Sequence, residues 1–434
     1  MSNSLSRDAL LAEHRASGKP RDHWLVGAEF ERHLLRPDGM PLPYFGTPGV
    51  GWLLRGLAKA GGELVFEGDN PIALFRGGAS ATLEPGGQFE LSGSAGRDLQ
   101  PIAEEAQRFS DTLDTLLAGS AVRQSAIGYT PFARMDQIDW VPKGRYKIMR
   151  EHLAQTGALA HDMMKGTCAI QATYDYADEA DCNSKVSLAT RLGPLTTAMF
   201  ANSPYRQGKP SGYMSYRGHV WTQTDPARTG MPDAAESFSF AGWVDYLMNV
   251  PMMFRKDAEG NWVAANGQTF AEWLADPNDT PPDRAAWELH LTSVFSEVRV
   301  KHTIEVRGAD CVPLPLAMSF VSLFKGLFYC DIATVQATEL AQRFVSHGTK
   351  DERFATAVRD GLHGVVGGRP LVAWAEELLE LSDAALIRCA PDDRRWLHPL
   401  FAQVERGESP ARTLLRALGP EPSPADLIAA TPMS

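Results

Sequence analysis

The chain has 434 residues, with 42 Lys plus Arg against 53 Asp plus Glu, a formal charge of −11 at pH 7. At 44% hydrophobic and 22% charged it has the composition of a globular protein, and its length is ample for a core. The acidic balance, without a basic stripe, argues against nucleic acid and anionic membranes as partners.

Residues 24–35 alternate with period two, which puts Ala28, Phe30 and Arg32 on one face and Glu29 and Glu31 on the other. Short runs at 63–66, 72–75, 81–84 and 88–91, separated by Gly, Asp and Asn, predict antiparallel hairpins. The spacing of Ile102, Ala106, Phe109, Leu113 and Leu116 predicts a helix over 98–117. A helix over 146–153, a strand over 167–176 and a long helix over 178–201, kinked at Gly193-Pro194, follow. Residues 203–232 and 276–282 read as loops rich in Pro, Gly and Asp. After a strand at 301–307 the chain reads helical, over about 314–329, 331–346, 350–362, 370–381 and 409–418. Strands first and helices last, without βαβ alternation or internal repeats, predict an α+β fold. We expect a single domain, 1–434, sheet-rich over 24–310 and helical over 311–434.

Cys168, Cys182, Cys311, Cys330 and Cys389 are too sparse for a disulfide framework, and none forms a CxxC pair. They read as free thiols that pack as small hydrophobes. The N-terminal 24 residues lack the apolar core of a signal peptide. The longest apolar stretch, 312–324, contains two prolines and is too short to span a bilayer. The expectation is a soluble, cytoplasmic protein. There is no P-loop, no GxGxxG after a strand, no HExxH and no GxSxG.

The chemistry-bearing signal is carboxylates on strands. Glu29 and Glu31 share one parity; Glu84 and Glu90 flank a Pro-Gly-Gly hinge, with Gln88 in phase; Glu305 and Arg307 alternate with Ile304 and Val306. For one strand, solvent-facing glutamates would be the plainer explanation. Acids are depleted from strands, so three strands repeating the pattern point to one acidic, sheet-built site. Such carboxylates repel unless cations lie between them, and oxygen ligands without Cys or His suit Mg²⁺, with Mn²⁺ as the substitute. Phosphoryl transfer is the matching chemistry. Basic residues gather in two aromatic settings: Lys143, Arg145 and Lys147 near Trp140 and Tyr146, and Arg217 and Arg228 near Tyr216 and Trp221. Arginine forks bind carboxylate and phosphate bidentately, which suits an amino-acid substrate. His161, His219 and His302 are isolated and read as packing residues.

The blocks GDNPIALFRGGASATLEPGGQFELSG, WVPKGRYKIMREHL, SYRGHVWTQTDPARTGM and EVRVKHTIEVRGAD resemble the plant-type glutamate–cysteine ligases, in matching order over about 24–330. The resemblance implies a fold like the glutamine synthetase and guanidino-kinase catalytic domain, an antiparallel sheet curved into a cup and backed by helices. It implies ATP-dependent ligation of glutamate to cysteine through a γ-glutamyl phosphate, the first step of glutathione biosynthesis. It places Glu29, Glu31, Glu84, Glu90 and Glu305 at positions of Mg²⁺-holding carboxylates, and makes Glu305 and Arg307 catalytic, Arg307 stabilising the transferring phosphoryl group. Arg217, Arg228, Trp221, Lys143, Arg145 and Lys147 fall at substrate-binding positions. The expected partners are glutamate, cysteine and ATP, with the protein a monomer or homodimer. Residues 203–232 are the expected cover.

Two departures stand out. The family's Gly-Thr-Glu-His-Glu-Lys reads Gly27-Ala28-Glu29-Phe30-Glu31-Arg32 here, and Thr173 replaces a usual asparagine. They leave open a sister ligase that joins glutamate to another amine, or one that supplies γ-glutamylcysteine for ergothioneine. A non-catalytic glutamate or nucleotide sensor would lack the carboxylates, and all five are present.

Overall fold

In the computed structural model, residues 5–434 are described. Nine strands form one sheet: β1 Val26–Leu35, β2 Glu63–Glu67, β3 Asn70–Arg76, β4 Ala79–Leu83, β5 Phe89–Ser92, β6 Arg123–Ser125, β7 Ala169–Tyr174, β8 Val298–Val300 and β9 Ile304–Asp310. Their order is β8-β9-β7-β1-β5-β4-β3-β2, with β6 also paired to β1, and every pairing is antiparallel. The strand expected over 301–307 is shifted: residues 301–303 turn between β8 and β9, and the strand itself begins at Ile304. Val298 and Val300, opposite Val306 and Ile304, supply the apolar phase that starts the hairpin one strand earlier.

Register makes the sheet two-faced. On the back, Phe30 pairs with Leu91 and Ile170, Ala28 with Ala172, and Ala172 with Val306. These side chains are buried in the main core against helices. The backing helices include α1 Leu99–Leu117, α3 Glu179–Met199 and α5 Leu314–Tyr329, with α2 Gly144–Leu153 and α4 Tyr216–Thr222 set beside the other face. Tyr174 fixes α5 to the back by donating its hydroxyl to the Val321 carbonyl at 2.8 Å. Pro194 lies inside α3, in line with its ring being tolerated where packing holds the helix.

Much of 240–295, which the sequence left without regular structure, holds helices Phe240–Asn249 and Arg284–Leu291 and a hairpin over 254–264. These are short elements with no long hydrophobic period to mark them. Residues 276–282 are loop, as expected. Among the described residues no single helix is long and apolar enough to cross a membrane. All five cysteines are free thiols.

Candidate active site

The front of the sheet carries the polar phase. Glu29 pairs across strands with Ser92 and Gln171, Glu31 with Glu90, Glu90 with Thr82, and Glu305 with Thr173 and Arg299. One row of carboxylates, amides, hydroxyls and a guanidinium therefore crosses six adjacent strands. It floors a cavity of about 310 Å³. The cavity is lined by Glu29, Glu31, Glu84 and Glu90 on the sheet side and by Lys143, Arg145, Arg217, Trp221, Arg299 and Arg307 around it.

The turn between β4 and β5 shapes one wall. Gly87 takes a positive φ of 84°, which favours glycine. Gly86 packs so closely that a Cβ there would lie 2.3 Å from the Lys165 carbonyl oxygen. Gln88 clamps the turn: its Oε1 accepts from the Gly86 N–H at 2.8 Å, and its Nε2 donates to the Thr167 and Met164 carbonyls at 2.9 and 3.1 Å. Glu84 and Glu90 are thereby set on either side of a rigid bend.

The carboxylates are crowded. Burial, then the charges of Glu90 and Glu305, push Glu29 up to about 8. Burial and the Glu90 and Glu84 charges push Glu31 well above the carboxylate range, although the Ala169 N–H and Gln171 Nε2 donate to it at 2.6 and 3.2 Å. Burial and Glu84 raise Glu90, against hydrogen bonds from the Ser92 and Thr82 hydroxyls at 2.9 and 3.0 Å. Among the described residues, no three His, Cys, Asp or Glu side chains already stand in a cation-holding cluster. The donor set nonetheless fits a hard divalent cation. It is all oxygen, and a cation among these acids would offset both the burial and the mutual repulsion of Glu29, Glu31 and Glu90.

Glu305 stands apart from the other four and does not line the cavity. Its oxygens accept from Arg299 Nε and Nη2 at 2.9 and 2.8 Å and from Arg307 Nη1 at 2.5 Å, with Lys301 Nζ 3.7 Å away. Burial acts to raise its pKa, but Arg299, Arg307 and Lys301 outweigh burial and hold it far below the usual range. Arg307 also donates to Gln171. Lys143 is half-buried; its Nζ donates to the Leu83 carbonyl at 2.7 Å, and burial lowers its pKa to about 8.

Arg217 reaches the cavity because of the way its helix begins. Asp310, at the end of β9, accepts from the Asn202 N–H at 2.8 Å and from the Ser203 and Ser215 hydroxyls at 2.6 and 2.8 Å. Ser215 Oγ in turn caps α4 by accepting from the Gly218 N–H, and Ser203 Oγ accepts from the Arg217 N–H at 3.0 Å. Within residues 203–232, expected as a cover, Ser203, Ser215, Arg217, Asp225 and Arg228 are buried, and Arg217 and Trp221 line the cavity.

The structure does not bring Arg228 or Lys147 to the cavity. Arg228 is fully buried, with Nε on Asp225 at 2.6 Å, Nη2 on the Pro251 carbonyl at 2.7 Å and Nη1 on the Ser293 carbonyl at 3.3 Å. Lys147 is exposed on α2, two residues along the helix from Arg145. Arg299 is the charged cavity residue that sequence reasoning missed. Its signal was Val298-Arg299-Val300, the same apolar–polar alternation as Ile304-Glu305-Val306 across the hairpin. Of the departures, Ala28, Phe30 and Arg32 lie on the back face. Phe30 is core, and Arg32 donates to Ser110 Oγ and Gln124 Oε1, both at 2.8 Å. Thr173 is the substitution on the cavity face, opposite Gly27 and Glu305.

Over residues 25–428 the chain matches the family model described as glutamate-cysteine ligase family 2. It is 34% identical over 427 residues to the chloroplastic glutamate–cysteine ligase of Arabidopsis thaliana, a match covering 95% of this chain and 79% of that one. A rice relative (Oryza sativa subsp. japonica), glutamate–cysteine ligase B, is 32% identical over 434 residues, 96% of this chain and 84% of the relative. Among solved structures, the glutamate–cysteine ligase of Francisella tularensis in complex with AMP superposes with a TM-score of 0.59 at 13% identity, covering 94% of this chain and 87% of that one. The bifunctional glutathione synthetase of Pasteurella multocida superposes with a TM-score of 0.57 at 12% identity, over 98% of this chain and 53% of that one. Both likenesses are of fold.

Proposed function

Because the chain belongs to glutamate-cysteine ligase family 2, we propose that it joins the γ-carboxylate of L-glutamate to the amine of L-cysteine with conversion of ATP to ADP and phosphate, the first step of glutathione biosynthesis. The observation that carries this reading is the cavity: four carboxylates, Glu31 buried and Glu29, Glu84 and Glu90 half-buried, opposed by four arginines and a lysine on the polar face of a two-faced sheet. A carboxylate acylates an amine poorly until its oxygen becomes a leaving group, and phosphorylation supplies one. Each residue then has a distinct role to offer.

Glu29, Glu31, Glu84 and Glu90 would hold Mg²⁺, or Mn²⁺ in its place, and the bound cation would offset charge on the phosphate oxygens of ATP. Arg307, with Arg299 behind it, faces the same floor and suits stabilisation of the transferring phosphoryl group. Glu305 orients that pair through its charge-assisted hydrogen bonds. Arg217 and Trp221 form a guanidinium and an aromatic wall suited to the glutamate substrate, and Lys143 and Arg145 are a second cationic edge for phosphate or carboxylate. The amine must attack the acyl phosphate before water does, and a cavity floored by a rigid sheet favours that order. A cytoplasmic setting belongs to the same proposal.

The back-face placement of Ala28, Phe30 and Arg32 supports cysteine as the amine, since those changes do not touch the cavity. Thr173 is the residue through which a sister ligase would differ. The test is release of ADP with Mg²⁺-ATP and glutamate across a panel of amines. Turnover that needs glutamate and rises with cysteine above every other amine is the expected result. Equal or greater turnover with another amine would overturn the assignment of cysteine.

A further inference from the structure

Glu297 is a buried acid that the mechanism above does not use. Glu297 lies between residues 295–296 and β8, where its N–H donates to the Gly230 carbonyl at 2.8 Å and its carbonyl accepts from the Arg307 N–H at 2.9 Å. It therefore spans the seam between the loop that follows α4 and the strand that carries Arg307. Its side chain is 7% exposed, and its Oε2 is buried without a hydrogen-bond partner. The carboxylate has room because residue 308 is glycine: a Cβ there would stand 2.6 Å from that oxygen.

An orphaned carboxylate oxygen is costly unless charge nearby offsets it. Two guanidinium groups do so in part here, against burial and the charge of Asp310. Burial raises the Glu297 pKa, and the charges of Arg217 and Arg307 oppose that rise. Arg217 is also incompletely satisfied. Its Nη2 donates to the Arg307 carbonyl at 2.9 Å and its Nη1 is 3.9 Å from Asp310, but its Nε is buried without a partner. No close ion pair joins Glu297 to either arginine among the described residues, so Glu297 acts on them through its field.

We propose that Glu297 is a positioning residue whose buried negative charge holds Arg217 and Arg307 together in the cavity wall, so that the glutamate substrate meets a preset pair of guanidinium groups. The inference rests on the ligase reading above. Asp310 fixes the backbone from which Arg217 projects, and Glu297 supplies the charge that allows two like-charged forks to share one wall without swinging apart. Arg217 is bonded directly to the Arg307 backbone, so a change at Glu297 passes to both.

The experiment is steady-state ligation kinetics on the full chain for Glu297→Gln, Glu297→Asp, Arg217→Gln and the Glu297→Gln/Arg217→Gln double variant. Glu297→Gln keeps the shape and removes the charge. It should raise KM for glutamate about tenfold, the scale carried by outer partners of site residues, and lower kcat as well, by less than removal of Arg307 does, because Arg307 is held by the same charge. Glu297→Asp, which keeps the charge, should recover most of that loss. The double variant should be no worse than Arg217→Gln alone, because the residues act as a unit. An unchanged KM for glutamate, or losses that multiply in the double variant, would overturn the proposal. If Glu297→Gln does not yield folded protein, Glu297→Ala, which also removes the charge, carries the same coupling test with Arg217→Gln. Failure of the ligase reading is distinguishable, because the parent chain itself would then release no ADP in response to glutamate and cysteine.

Discussion

Glu29 shows how far a single side chain depends on its surroundings. Its ordinary carboxyl value is 4.5, and burial with two acidic neighbours moves it to about 8. Between those values the unfolded chain has released this proton and the folded chain has kept it. The stability of the cation-free protein should therefore fall as pH rises through that window. Urea midpoints at pH 5.5 and 8.0, with Glu29→Gln as the control that flattens part of the slope, check the sign. Binding of a divalent cation needs the ionised form. Mg²⁺ added at pH 7 should release protons, which calorimetry in buffers of different ionisation enthalpy would detect. Glu305 behaves in the opposite way because three cations surround it. Glu305→Gln leaves Arg299, Arg307 and Lys301 uncompensated, and should cost about 3 kcal/mol of stability as well as turnover, the scale of a broken buried ion pair. Arg307→Ala should lose about 100-fold or more in kcat, as removal of a transition-state charge stabiliser does, while its unfolding midpoint moves less than that of Glu305→Gln. A kcat near the parent's would remove Arg307 from the phosphoryl-stabilising role.

The elements divide into those that carry the site and those that brace it. The segment from Ser215 to Arg228 does both: α4 presents Arg217 and Trp221 to the cavity, whereas Arg228, held by Asp225 of its own segment, binds two others at Pro251 and Ser293. Arg228→Lys keeps the charge but loses the fork. It should lower stability by about 2 kcal/mol or more, from several buried hydrogen bonds each worth about 1 kcal/mol. The KM for glutamate in the folded fraction should change little. A large KM effect at full stability would return Arg228 to the substrate. Ser215→Ala removes both the α4 cap and a donor to Asp310. Loss of a cap costs about 1 kcal/mol, and here it should also weaken glutamate binding because the first turn of α4 holds Arg217. Denaturant titration and glutamate KM, measured on the same variant, separate the two effects.

For the whole molecule, the −11 charge is unevenly distributed: four acids line one cavity, and of its five basic residues Arg299 and Arg307 are paired with Glu305 instead. Mg²⁺ with ATP should therefore raise the melting temperature more at pH 8 than at pH 5.5. At a hundredfold excess over Kd, the gain from ligand binding to the native state is about 2.7 kcal/mol. Equal shifts at both pH values would argue that the carboxylates do not hold the cation. Much of this was legible in the chain. Period-two alternation placed Glu29 and Glu31 on one face, the Pro-Gly-Gly hinge marked the bend between β4 and β5, and helical spacing marked the helices that back the sheet. These are local signals, because strand alternation, turn chemistry and helical period act over a few residues. What the chain could not say locally is which polar groups reach one another. That Arg228 is a brace, that Arg299 belongs to the cavity, and that Glu305 is clasped by cations were decided by strand register and by contacts between segments up to hundreds of residues apart. The sequence by itself determined the two-faced strands and their acidic content. Only the tertiary structure decided which acids are left facing one another, because burial and cross-strand register, which set the charge balance of the cavity, exist only once the sheet is assembled.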